Sequence, residues 1–93
     1  MEHLVKKVKV RNEFGIHARP AARISQMAQT AAGNVWFKFN GEKVDAGSVI
    51  DILSLCCVQH SEIEIEIETP EDMNVLDEII GYFKTGFGET EHE

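Results

Sequence analysis

Seven consecutive residues, Glu62-Ile63-Glu64-Ile65-Glu66-Ile67-Glu68, alternate without a break between an acid and an isoleucine. Successive side chains of an extended strand point to opposite faces, so this segment sends three isoleucines to one side and four glutamates to the other. Such a strand asks for an apolar layer on one face and water on the other, which suits an antiparallel sheet carrying helices on one side only. The regular spacing also spreads the glutamates along a solvated face. It does not pair them as carboxylates for acid–base catalysis.

The remaining segments fit the same plan. Leu4 to Val10 reads as a strand with Val8 and Val10 inward and Lys7 and Lys9 outward. Arg11 to Ile16 is a loop in which Gly15 supplies a backbone conformation closed to most residues. From Ala18 to about Ala31 the period lengthens: Ala21, Ile24, Ala28 and Ala31 form a stripe while Arg23, Gln26 and Gln29 fall outside it, which predicts an amphipathic helix with Pro20 in its first turn. Val35, Phe37 and Phe39 alternate with Trp36, Lys38 and Asn40, and Asn40-Gly41 predicts a two-residue hairpin into a short strand, Glu42 to Ala46. Ser48-Val49-Ile50-Asp51 is a capping-box pattern opening a short helix through about Leu55. Thr69 as N-cap, Pro70 at the first helical position and Asp72 at the capping-box position open the last helix, with Val75, Leu76, Ile79, Ile80 and Phe83 as its buried stripe and Gly86 and Gly88 at a frayed end. The resulting order, β-α-β-β-α-β-α, predicts an α+β fold with three helices on one face of a four-stranded, mostly antiparallel sheet.

A chain of 93 residues has room for one core, so a single domain spanning residues 1–93 is expected. A net charge of −7 argues against a nucleic-acid partner and is shared unevenly: residues 1–60 carry +3 and residues 61–93 carry −10. No apolar run approaches the roughly 20 residues of a membrane span, and Met1-Glu2-His3-Leu4 lacks the pattern of a signal peptide, so a cytoplasmic protein without membrane insertion is expected. A monomer is expected as well. The two cysteines, Cys56 and Cys57, are adjacent and cannot staple distant segments, in keeping with a reducing compartment.

His17 carries the chemistry. It stands where the glycine-containing loop becomes a helix, two residues before Arg19. An imidazole is a nucleophile near neutral pH and can capture a phosphoryl group without a strong base. The first-turn N–H groups of Ala18 and Arg19 and the positive helix end favour phosphate oxygens, and Arg19 can add charge-assisted hydrogen bonds. The competing reading is that His17 only caps the helix or fills its entrance. On the phosphoryl reading the acidic C-terminal segment should lie away from this pole.

The contiguous Gly15-Ile16-His17-Ala18-Arg19-Pro20-Ala21-Ala22 resembles the active-histidine motif of the HPr family, the small phosphocarriers of the bacterial phosphotransferase system. The likeness continues through Asn40 to Val44, Ser48 to Leu55 and Gly86-Phe87-Gly88-Glu89. It implies an open-faced β-sandwich, phosphorylation of Nδ1 of His17 by phosphoenolpyruvate-charged Enzyme I, and transfer to sugar-specific EIIA domains, with Arg19 beside the phosphate and Pro20 shaping the turn. It implies a carrier without a cofactor and not an autonomous enzyme; the chain also has no nucleotide-binding Gly-Lys-Ser/Thr loop. Ser48 matches the family's second phosphorylation position, target of an HPr kinase/phosphorylase, beside its role as N-cap. This leaves an alternative: an HPr-like regulatory protein controlled through Ser48 and acting on a transcriptional regulator. Val49, Ile50 and Leu53 are candidates for partner docking or for core burial, and Phe14 for the border of the active surface or for the core.

Several positions depart from the family pattern. Cys56 and His60 stand where glycine is frequent, and Gly47 replaces a common lysine, which would loosen the turn before Ser48 or change recognition by the kinase. Cys57-x-x-His60 offers only two ligands, so no metal site is expected. His3 and His92 have no neighbours in sequence that suggest chemistry.

Overall fold

A computed structural model describes residues 4–89. His3 and His92 lie outside the described residues. The alternating segment forms β4 (Glu62–Ile67), an inner strand of an antiparallel sheet ordered β1-β4-β2-β3, with β1 (Leu4–Lys9) and β2 (Val35–Phe39) on either side and β3 (Glu42–Asp45) beyond β2. Register keeps the apolar faces together: Ile63 is opposite Val8, Ile65 opposite Phe37 and Ile67 opposite Val35. All three isoleucines are fully buried.

Three helices cover that face: α1 (Ala18–Gln29), α2 (Val49–Ser54) and α3 (Met73–Lys84). The stripe predicted for α1 is buried at Ala21, Ile24 and Ala28, and that of α3 at Val75, Leu76, Ile79 and Phe83, while Ile80 is half-buried. Asn40 and Gly41 both take positive φ, 52° and 81°, the mirror-image turn whose twist suits a two-residue hairpin. No helix among the described residues is long and apolar enough to cross a membrane.

Four local expectations need correction. The glutamates of β4 are not all solvated: Glu66 is buried at 5% exposure, with the Lys38 and Lys43 ammonium groups 3.9 and 3.7 Å from its Oε1. Because β4 is an inner strand, long side chains from β2 and from β3 beyond it close over its outer face. Asp72 does not return to Thr69 as a capping-box acid. Its carboxylate is buried and accepts the N–H groups of Ala32 (2.8 Å) and Gly33 (2.9 Å), tying the chain after α1 to the start of α3. Thr69 does cap, through Glu71 N–H at 3.4 Å, but Pro70 opens a 3₁₀ turn, Pro70–Asp72, and α3 starts only at Met73.

At Ser48 only half of the predicted box forms. The Ser48 hydroxyl accepts from Asp51 N–H at 3.2 Å, whereas the Ser48 N–H donates to the Asp45 carbonyl at 3.1 Å and not to the Asp51 carboxylate. Finally, the chain end is not frayed at Gly86. A second 3₁₀ turn, Gly86–Gly88, buries Phe87, whose ring centroid lies 4.9 Å from Phe83 and 5.0 Å from Tyr82. Burying a side chain of this size contributes about 1.5–3 kcal/mol, enough to hold the turn against the core although Phe87 has φ of 62°. The next residue, Glu89, is thereby delivered to the loop between β1 and α1.

Candidate functional site

That loop is shaped by Gly15. Its φ is +69°, and a Cβ there would lie 2.5 Å from the Cys57 carbonyl oxygen and 3.0 Å from Val58 Cα, so no side chain fits without moving backbone. The close approach lets Ile16 N–H donate to the Cys57 carbonyl at 3.0 Å while the Ile16 side chain enters the core. His17 then falls at the N-cap of α1. Its side chain makes no capping hydrogen bond, so the simple capping role does not describe it. Its carbonyl accepts Ala21 N–H at 3.0 Å, and Pro20 contributes no N–H. The Ala18 and Arg19 N–H groups are therefore the first-turn donors left at the positive end of the helix.

The imidazole is about one-third exposed, with a side-chain exposure of 36%. Phe14, 75% exposed, meets the ring edge-on at a centroid distance of 6.5 Å. Phe14, His17, Arg19 and Glu89 line one open pocket, which places the predicted pair of His17 and Arg19 together. Arg19 is exposed and Pro20 is buried in the helix start.

Glu89 is the unanticipated member. Its Oε2 lies 2.5 Å from His17 Nε2, and its Oε1 accepts Asn12 Nδ2–H at 2.8 Å. Asn12 donates a second hydrogen bond to the Gly15 carbonyl, also at 2.8 Å. Burial pushes the Glu89 carboxyl upward, but the hydrogen bonds from His17 and Asn12 and the charges of His17 and Arg19 outweigh it and hold the group below the usual carboxylate range. An ionised carboxylate only accepts, so the proton of the neutral ring sits on Nε2 and the lone pair is on Nδ1. The acidic segment was expected to avoid this pole. One member of it, Glu89, does not, and its carboxylate is compensated by two donors, Asn12 and His17, and by the charge of Arg19. Asn12 and Glu89 are 77 residues apart, so no local pattern could have paired them; the only signal was that Gly86 to Glu89 belongs to the family resemblance.

The candidate docking residues divide. Ile50 is 78% exposed, whereas Val49 and Leu53 are half-buried and pack on the core. Val58, which the sequence did not single out, is 67% exposed beside the Gly15 contact. Ser48 is half-buried at the N-cap of α2. The turn before it is not loose: the Gly47 carbonyl accepts from Ser25 Oγ (2.7 Å) and Gln29 Nε2 (2.9 Å), and Gly47 N–H donates to Asp45 Oδ1 (2.8 Å).

Cys56 and His60, the positions where relatives often have glycine, take φ of 55° and 77°, the left-handed region that glycine enters without cost. Burial, then the neighbouring Cys56, pushes the Cys57 thiol up to about 11, which keeps it an unreactive thiol. No group of three or more His, Cys, Asp or Glu side chains suited to a metal occurs among the described residues.

The family described as "PTS HPr component phosphorylation site" matches residues 4–85. The chain belongs to the HPr family. It is 30% identical over 80 residues to the phosphocarrier protein HPr of Cupriavidus necator, covering 86% of this chain and 90% of that protein. It is 34% identical over 85 residues to the phosphocarrier protein NPr of Proteus mirabilis, covering 90% and 94%. The solved structure of HPr-C-His from Thermoanaerobacter tengcongensis superposes with a TM-score of 0.86 at 26% identity, covering 98% of this chain and all of that one. With membership comes the family's role: the chain is a phosphocarrier of the phosphotransferase system and not an autonomous enzyme.

The depressed carboxyl at Glu89 makes its contact with His17 sensitive to acid in a defined direction. The stabilisation is fully present above the ordinary carboxylate pKa of about 4.3 and is lost as pH falls through the lower folded value. A carbon-detected NMR titration of Glu89 should place its midpoint below that of a free glutamate and move it upward in His17→Ala. A wild-type midpoint at or above the free value would contradict the contact.

Proposed function

We propose that His17 is the phosphoryl acceptor and that Nδ1 is the attacking atom. One observation carries this reading: Glu89 occupies Nε2, so the lone pair of the neutral imidazole is on Nδ1. In the transfer step Nδ1 forms a bond to phosphorus as the donor's bond to phosphorus breaks. Arg19 and the Ala18 and Arg19 N–H groups receive the charge of the phosphoryl oxygens, and Pro20 fixes the backbone of that first turn. The carrier needs no cofactor for this, because the ring supplies the nucleophile and the partner proteins supply the rest of the electrostatics. Enzyme I is the donor in this reading and an EIIA domain the acceptor, in phosphoenolpyruvate-dependent sugar uptake.

Ile50 and Phe14 are the exposed apolar side chains we assign to docking, together with the half-buried Val49 and Leu53 on the same short helix as Ile50. Ser48 is proposed as a second, regulatory phosphorylation site for an HPr kinase/phosphorylase. A phosphate there would add about −1.5 to −2 charge at the start of α2, two residues from Ile50, and would weaken apolar docking. The hydrogen bonds that hold Gly47 favour this reading, since they present Ser48 on a fixed turn. A regulatory branch acting through Ser48 on a transcriptional regulator follows from the same residue.

Incubation with Enzyme I and labelled phosphoenolpyruvate should give one acid-labile, base-stable phosphoryl group on the wild type and none on His17→Ala. Label retained by the alanine variant would overturn the assignment. Ile50→Glu should keep the fold by circular dichroism yet slow transfer from Enzyme I by about tenfold or more, the equivalent of losing ~1.4 kcal/mol of docking energy. Transfer at the wild-type rate would remove Ile50 from the docking surface.

A further inference from the structure

We propose that Asn12 is a positioning residue for phosphoryl transfer: through Glu89 it keeps the proton on His17 Nε2 while Nδ1 gains and loses the phosphoryl group. The inference rests on the reading of His17 as acceptor and adds to it a buried relay, Asn12 to Glu89 to His17.

Asn12 is 1% exposed, an unfavourable place for an amide unless its groups are paired. Its Nδ2 donates both available hydrogens, to the Gly15 carbonyl and to Glu89 Oε1, each at 2.8 Å. Its Oδ1 is buried with no hydrogen-bond partner. Reversing the amide would point this oxygen at a carbonyl and a carboxylate, so the two acceptors dictate the orientation. An asparagine kept only for packing would be better replaced by an apolar side chain of similar size. The half-satisfied amide marks a residue held for its two donors.

Those donors act on both sides of His17. One holds the carbonyl of Gly15, two residues before the histidine in the loop that sets the ring's base. The other fixes one oxygen of Glu89 so that the second meets Nε2. Phe87 anchors the approach of Glu89 from the core side. The carboxylate is thus located by an amide from one end of the chain and an aromatic anchor from the other.

The chemistry gives this arrangement a function in both halves of the carrier cycle. When Nδ1 bonds to phosphorus and the donor's bond to phosphorus breaks, the ring acquires positive charge with its proton still on Nε2, and the Glu89 carboxylate lies beside that charge. When the phosphoryl group passes on, the Nδ1–phosphorus bond breaks, its electron pair returns to Nδ1, and the ring leaves as neutral imidazole because Nε2 has kept its proton. No proton enters or leaves in either step. A ring that had lost the Nε2 proton would have to depart as an anion, a much poorer leaving group.

The test uses the full chain with ¹⁵N-labelled histidine. At a pH where the ring is neutral, the wild type should show His17 as the Nε2–H tautomer. Asn12→Asp keeps the shape but sets a carboxylate against Glu89, and should mix the tautomers and lower kcat for transfer from phosphorylated protein to EIIA by about tenfold with KM little changed. Should that variant fail to fold, Glu89→Ala reads the same tautomer and the same kcat. A folded Asn12→Asp, or in its place Glu89→Ala, with wild-type tautomer and wild-type kcat would overturn the relay. The His17→Ala labelling control separates this failure from failure of the acceptor reading, since label absent only from His17→Ala leaves that reading intact.

Discussion

The pairing of β4 on both sides is the constraint on which the placement of His17 depends. Because Glu62–Ile67 lies between β1 and β2, the end of β1 is locked against the residues that precede β4: Val10 N–H donates to the Ser61 carbonyl at 2.8 Å, and His60 N–H to the Val10 carbonyl at 2.7 Å. This brings the turn containing Cys57 and Val58 under Gly15 and sets where α1 begins. From the other end of β4 the chain returns as α3, whose buried stripe lies on the same isoleucines' side of the sheet and leads into Phe87 and Glu89. Two segments far apart in sequence thus converge on one imidazole because one strand is inner and apolar on one face.

The charge distribution takes on a local meaning in this setting. The chain is acidic overall, and most of its surplus lies after residue 60. On the outer sheet face the acid is balanced in register, with Glu64 opposite Lys7 and Lys38, and Glu66 beside Lys38 and Lys43. At the site a single member of the acidic segment reaches the histidine, and Asn12, His17 and Arg19 are arranged around it. In the proposed transfer, a carboxylate bound to Nε2 favours the neutral ring's attack through Nδ1 and offsets the charge that follows, and the phosphate side of the ring is left to Arg19 and the helix start.

Features with a short period were legible in the sequence: the alternation of β4, the stripes of α1 and α3, the Asn40-Gly41 hairpin, and Gly15 as a residue needed for its backbone. The same holds for the neighbourhood of His17 and Arg19, which stand two residues apart at one helix start. What was not legible depends on partners distant in sequence. Asp72 looked like a helix cap, but a buried carboxylate takes whichever donors the fold supplies, and these were Ala32 and Gly33. Glu66 looked solvated because the order of strands, which makes β4 an inner strand, is not written in its own alternation. Gly86 and Gly88 looked like a frayed end because the burial of Phe87 depends on Tyr82 and Phe83 being held by the whole core. Asn12 carried no local mark, and Glu89 was marked only by the resemblance of Gly86 to Glu89 to the family.

Glu89 on Nε2 leaves Nδ1 as the ring nitrogen free to react. Phosphorylating the ¹⁵N-histidine-labelled protein with Enzyme I and phosphoenolpyruvate, and reading the ³¹P–¹⁵N coupling and ring shifts of His17, identifies the bonded nitrogen directly. Phosphorus bonded to Nδ1, with the proton retained on Nε2, is the predicted result. Phosphorus bonded to Nε2, the nitrogen that Glu89 occupies, would contradict it.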